Sequence, residues 1–315
     1  MRGEEGWTDV AESGGARALR WGGRLARALG RRNTSRLMWP VAAYFLLRRR
    51  SARRGSRQFL ERVASRAEGR AALGGGPGWG ASLRHLHAFG MSLYDRMRVW
   101  SGGLEGLEVQ HDGSEAIFES ARSGRGALLL GAHLGSLDLL SFLSRHYDLV
   151  VNVVAFFENA RRVNEFFASL GPGHRLRLIE LDPDSVQAAL SVRACIGRGE
   201  LVAVMADRLA PGGHGRSALC TFLGRPARFP LGPFLLAGVL ECPVLFTLCV
   251  CIAPGRYETV LRPLGRPEGA TRHEREKQAR ELLETYVAEL EARCLRHPFQ
   301  WFNLYEFWTH AGDPA

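Results

Sequence analysis

The sequence predicts an α/β fold: a mostly parallel central sheet with helices on both faces, preceded by an N-terminal helical basic arm. Three observations predict it. Short apolar runs such as Ala127–Leu130 and Leu201–Ala206 have the length and composition of buried strands. They alternate with segments of helical periodicity, the pattern of strand–helix–strand units that build parallel sheets. The positive charge is confined to one end: residues 1–70 carry 17 arginines against 6 acidic residues, while the rest of the chain carries 25 basic and 26 acidic residues. The expected division is an amphipathic basic arm over residues 1–75, lying at a membrane interface, and a main domain over residues 76–315.

A chain of 315 residues is long enough to bury its own core without disulfide staples. The six cysteines, Cys195, Cys220, Cys242, Cys249, Cys251 and Cys294, form no CxxC pair. They read as core thiols in a reducing compartment. No His or carboxylate spacing suggests a metal site, so none is expected.

Met1 to Gly15 is polar and glycine-rich. From Ala16 a helix is expected, with Trp21, Leu25 and Leu29 on one face among arginines. Leu37 to Leu47 is apolar and aromatic, interrupted by Pro40 and followed by Arg48, Arg49 and Arg50. It falls short of the roughly 20 residues needed to cross a bilayer, and no small-residue cleavage site follows. Apolar aromatics flanked by arginine suit a helix lying in a membrane interface. The plainer alternative is a cap over a soluble core. A third, nucleic-acid binding, has only the arginine cluster behind it and no helix-turn-helix, zinc-finger or RNP pattern.

Gly69 to Gly80 is expected to be a joining loop. Leu83 to Trp100 has helical periodicity, and Val109 to Ile117 suits a strand running into a helix. Strands are expected at Leu149–Phe156, Leu176–Leu181, Leu201–Ala206, Val244–Ile252 and Tyr257–Leu264. Helices are expected at Ala160–Leu170, Asp184–Gly197, Leu231–Glu241 and Thr271–Arg293.

The stretch from Gly126 to Arg145 carries the chemistry. The apolar run ends at Gly131, and His133 follows at the carboxyl end of a predicted strand. Ser136 can cap the next helix, and Asp138 falls in its first turn, where a carboxylate is favoured. A carboxylate five residues after the histidine can fold back onto the imidazole, hold one ring nitrogen protonated and leave the other to take a proton. Asp207 also follows an apolar strand directly. Sites in such sheets gather at the carboxyl ends of the strands, so His133 and Asp207 point to one site. Arg208 is placed either to grip a phosphate or polarise a carbonyl, or to pair with Asp207. Its loop continues through His214. Arg161 and Arg162 open the helix after the second strand and either reach the site or lie on a solvated face. In Thr221 to Pro233, Phe222, Leu223 and Phe229 either line an acyl channel or pack the core, and Arg225 and Arg228 suit an acidic head group or carrier. The terminal HPFQWFNLYEFW is core or sits at membrane level.

His-x-x-x-x-Asp between a strand and a helix resembles the glycerolipid and lysophospholipid acyltransferases. The order of the His133–Asp138 motif, Asp207–Arg208, FLGRPARFPLGP, Pro243–Val244 and PFQWFNLYEFW narrows the likeness to the bacterial lipid A biosynthesis (late) acyltransferases, over roughly residues 35 to 310. The resemblance implies a catalytic dyad of His133 and Asp138, with Asp207 and Arg208, Arg162 or Arg225 on the substrates. It implies an acyl carrier protein or CoA thioester as co-substrate with no other cofactor, and a hydroxyl or amine of a lipid or glycolipid as acceptor. A monomer is expected, peripheral on the cytoplasmic face of the inner membrane and without nucleic acid. Two features depart from the lipid A members. They often have Glu where this chain has Asp138, and a clearer N-terminal membrane helix. A rival class is a serine esterase using Ser136, although Gly-x-Ser-x-Gly fails because position 138 is Asp.

Overall fold

The computed structural model describes residues 16–100, 107–112, 124, 126–136, 149–156, 176–181, 186–209, 216–269 and 271–308. The fold is α/β. Seven strands form the main sheet: β1 (Glu108–Asp112), β2 (Ala127–Gly131), β3 (Val151–Phe156), β4 (Leu176–Leu181), β5 (Leu201–Met205), β8 (Val244–Ala253) and β9 (Arg256–Gly265), in the order β1-β9-β8-β2-β5-β3-β4. All neighbours pair in parallel except β8 and β9, which form an antiparallel hairpin. β2 lies between β5 and β8, and every one of its residues is buried. A central parallel strand is covered on both faces, which explains its unbroken apolar sequence. Each leucine buried there contributes about 1.5–3 kcal/mol relative to exposure.

The predicted helices that fall among the described residues are present. α4 spans Trp79–Trp100, α5 Val186–Gly197, α6 Gly232–Leu240 and α7 Arg272–Arg296. Thr271 and Glu274 form a reciprocal capping box at the start of α7, satisfying two otherwise orphaned N–H groups. Along α7, Leu282, Leu283, Tyr286, Val287, Leu290 and Cys294 face the core at helical spacing. The helix expected over Ala160–Leu170 lies outside the described residues.

The sequence reading did not anticipate a small second sheet. β6 (Ser217–Phe222) and β7 (Arg225–Pro230) form an antiparallel hairpin. Its two-residue turn, Leu223 and Gly224, has positive φ at both positions (49° and 77°), the requirement of a tight hairpin turn whose twist matches its strands. Phe222 and Phe229 point inward and pack edge to face, with ring centroids 5.5 Å apart. They are core residues, so the acyl-channel alternative is set aside for them.

The N-terminal region is helical: α1 (Ala16–Arg48), α2 (Arg50–Ala64) and α3 (Ala67–Leu73). α1 is kinked at Gly30, and Pro40 sits within it. The structure departs from the expected division at residue 75. On α2, Phe59, Leu60 and Val63 are fully buried in the same apolar cluster as Leu128, Leu130 and Val204 of the sheet, so from Arg50 onward the arm is packed into the main body. The joining loop is also shorter than expected: Gly69 lies buried in α3, and Gly74 ends that helix in a left-handed conformation. α1 rests on α4. Arg31 is paired with the buried Asp95 of α4, which also accepts from the Tyr257 hydroxyl on β9, and Trp39 stacks on His87 at 4.1 Å. Its outward surface leaves Leu37, Trp39, Val41, Tyr44, Phe45 and Leu47 exposed, with Arg32, Arg36, Arg48, Arg49 and Arg50 around them. No helix among the described residues is long and apolar enough to cross a membrane.

Candidate active site

β2 and β5 are neighbours running in the same direction, so the residues following them emerge side by side. The chain from Gly131 to Ser136 is held by four separate segments. The Gly131 carbonyl accepts from the Ala206 N–H (3.0 Å) and from the Tyr286 hydroxyl of α7 (2.8 Å). The His133 carbonyl accepts from the Phe302 N–H at 2.8 Å, and the Gly135 N–H donates to the Gln300 carbonyl at 2.9 Å. The Ser136 N–H donates to the Cys249 carbonyl of β8 at 2.8 Å. Gln300 is fixed in turn by its amide, which exchanges two hydrogen bonds with the Cys251 backbone (2.8 and 2.7 Å). Gly135 has φ +76°, and a Cβ there would sit 2.0 Å from the Cys249 carbonyl oxygen. Only glycine satisfies both conditions.

This frame aims His133 at Asp207. Its Nδ1 lies 2.7 Å from Asp207 Oδ1, and its backbone N–H donates to Oδ2 at 2.9 Å. The same Oδ2 accepts from the Trp301 indole N–H (3.0 Å) and the Asn303 amide (3.2 Å). Asp207 is 0% exposed. Burial alone would raise its pKa, but the His133 donors, with Arg208 nearby, hold it below the usual carboxylate range. An ionised acceptor at Nδ1 requires the proton on Nδ1, which leaves the lone pair on Nε2. The His133 side chain retains 30% of its surface while Asp207 has none, and Nδ1 is the ring nitrogen turned to the buried carboxylate. Burial pushes the imidazole pKa below its ordinary value. The Asp207 carboxylate opposes this, and Arg208 and Arg96 add to it. The arrangement is a neutral imidazole, held in one tautomer, with a free proton-accepting nitrogen at the mouth of a parallel sheet.

Arg208 donates from Nε to the Asn303 side-chain oxygen and from Nη2 to the Phe302 carbonyl at 3.0 Å, with its guanidinium 5.9 Å from the Tyr305 ring centre. Asn303 therefore links Asp207 to Arg208, and the two partners fix the orientation of its amide.

The structure brings together His133, Asp207 and Arg208 of the residues singled out from sequence. It revises one role. Asp207 was placed among the substrate-binding groups, yet it is fully buried, its oxygens accept from protein donors, and it offers no surface to a substrate. It is a carboxylate partner of the histidine, the part assigned from sequence to Asp138. Asp138 and Arg162 lie outside the described residues, as does His214. Arg225 is exposed beside the hairpin turn, where the Leu223 N–H bonds Glu291 of α7. Ser136 is 1% exposed, and its hydroxyl has no hydrogen-bond partner among the described residues. It is not presented to the imidazole as a nucleophile would be. All six cysteines are free thiols. Among the described residues no group of three or more His, Cys, Asp or Glu side chains could hold a metal ion.

Trp301, Asn303 and Arg96 were not identified from sequence. The first two lie in the aromatic stretch noted above, and their spacing of two residues was the available signal. An extended segment puts alternate residues on one side, and Leu134 and Trp301 do form an isolated antiparallel bridge. The stretch is core rather than membrane-level surface: Trp301 is fully buried, and Phe307 and Trp308 nearly so. No protein-family model matches the chain, and no characterised protein matches it in sequence.

Proposed function

We propose that the protein is an acyltransferase of the late-acyltransferase type, moving a fatty acyl chain from a carrier-protein or CoA thioester to a hydroxyl or amine of a lipid or glycolipid. The observation that carries this reading is the His133–Asp207 pair: a buried carboxylate fixing an imidazole whose other nitrogen is open at the strand ends. In the reaction, His133 Nε2 takes the proton from the acceptor as its oxygen or nitrogen attacks the thioester carbonyl. The carbon–sulfur bond then breaks, and the departing sulfur leaves as a thiol with that proton. Asp207 stabilises the transient imidazolium. The acceptor itself supplies the nucleophile, which agrees with the burial of the Ser136 hydroxyl and disfavours a serine esterase.

The outward apolar side of α1, with its arginine rim, supports peripheral attachment to an anionic membrane, where each arginine adds about 1 kcal/mol. The test is acyl transfer from acyl carrier protein and acyl-CoA donors to a lipid extract, read by mass spectrometry. His133→Ala should remove product formation while the protein stays folded. Undiminished turnover by that variant would end the proposal.

A further inference from the structure

The hydrogen bonds around Asp207 continue beyond the site. The Trp301 indole N–H holds Asp207, and the Trp301 carbonyl accepts from His85 Nε2 at 2.9 Å. His85 Nδ1 lies 3.0 Å from the Ser56 hydroxyl. Ser56, His85, Trp301 and Asp207 are each 0% exposed. A carbonyl can only accept, so Nε2 carries the ring proton and Nδ1 accepts from Ser56. Every polar atom of the His85 ring is thereby used, in a pocket walled by Phe59 (ring centres 5.6 Å apart) and Phe302 (6.1 Å). The path runs from α2 through α4 to the C-terminal segment and then to the imidazole. The fit is close at its start: a Cβ on Gly55 of α2 would sit 2.3 Å from the Tyr305 backbone nitrogen.

A leucine would fill this volume without the cost of burying an imidazole. What a histidine adds is a donor aimed at one carbonyl and an acceptor for one hydroxyl. We propose that His85 is a positioning residue for His133: by fixing the Trp301 carbonyl it fixes the indole N–H on Asp207, and through Asp207 the orientation of the proton-accepting ring. The inference deepens the acyltransferase reading and rests on His133 acting as the base. It ties α4, and through Ser56 also α2, to the orientation of the base, with Trp301 and Asp207 standing between His85 and His133.

The test compares His85→Gln with His85→Asn. A glutamine amide reaches the position of Nε2 and can still donate to Trp301, whereas an asparagine amide reaches only that of Nδ1. The readouts are the low-field NMR resonance of the His133 Nδ1 proton, assigned by its loss in His133→Ala, and the separate effects on kcat and KM. In His85→Gln the resonance should persist with kcat within about twofold of wild type. In His85→Asn it should move upfield or vanish, with kcat down about tenfold and KM unchanged, the scale on which supporting hydrogen bonds act. A folded His85→Asn protein that keeps both the resonance and its kcat overturns the inference. Should that variant not fold, Ser56→Ala, which frees one side of the ring, must shift the same resonance; an unmoved resonance overturns the inference equally. If wild type transfers no acyl group, the acyltransferase reading fails, while the resonance still decides the role of His85.

Discussion

Acidification should expose the cost of keeping His85 neutral. Burial pushes its pKa from the ordinary 6.5 to about 4, against the opposing hydrogen bond to Trp301. The sign follows from linkage. Between those two values the unfolded chain binds a proton at this position and the folded chain does not, so stability falls as pH drops below about 6.5. The folded protein begins to share the proton only near pH 4. At about 1.4 kcal/mol per pH unit, the loss accumulated by pH 4 is about 3 kcal/mol. His85→Gln provides the control, because glutamine occupies the site without titrating and every other group is common to both proteins. Urea unfolding of the two proteins at pH 7, 6, 5 and 4 should show the wild type losing about 3 kcal/mol relative to the variant. Parallel stability curves over that range would refute the argument, because they would mean that His85 is protonated in the fold or already reached by water.

Three other outcomes are expected. Asp207→Asn keeps the shape but presents an amide to four donors and no longer holds the proton on His133 Nδ1. By analogy with triads whose carboxylate is amidated, kcat should fall by about 10⁴, with about 1–3 kcal/mol of stability lost in a thermal melt; a variant near wild-type activity would remove Asp207 from the mechanism. Gly135→Ala places a side chain in left-handed backbone against the Cys249 carbonyl, costing at least about 1–2 kcal/mol in urea unfolding and lowering turnover because His133 must shift. Replacing Leu37, Val41, Tyr44 and Leu47 of α1 with serine should reduce flotation with anionic liposomes by at least about tenfold, and should leave the melting temperature nearly unchanged because these side chains are exposed; equal flotation would assign the apolar surface another role.

The centre of the sheet was legible because β2 and β5 are uninterrupted apolar runs, while β3, β4, β8 and β9 keep the length and apolar weight of strands despite polar residues such as Asn152, Arg177, Glu180, Thr247 and Arg262. β2, β3, β4, β5, β8 and β9 stand where those runs predicted. The β6–β7 hairpin was not, since Pro226, Pro230 and two arginines, Arg225 and Arg228, obscure the alternation that leaves Ala227 and Phe229 buried. The position of His133 at a strand end was equally visible. That Asp207 shares this site was visible from its place after a second apolar strand, but its role as the carboxylate on Nδ1 was not, because it is 74 residues away and meets the ring only through the β2–β5 pairing. Local spacing favours Asp138, and no rule of sequence alone says which strand will lie alongside β2. Trp301 and Asn303 were hidden for a related reason: an aromatic cluster announces burial, but hydrogen-bond donation depends on which acceptor the fold brings opposite.

The stretch Gln300–Asn303 comes after all nine strands found among the described residues, yet it completes the surroundings of the imidazole. Trp301 is both a fully buried side chain of the main apolar cluster and a donor to Asp207, so the packing that closes the core also closes the site. A cut between α7 and Gln300 would therefore release the Trp301 and Asn303 hydrogen bonds to Asp207 and open the apolar cluster together.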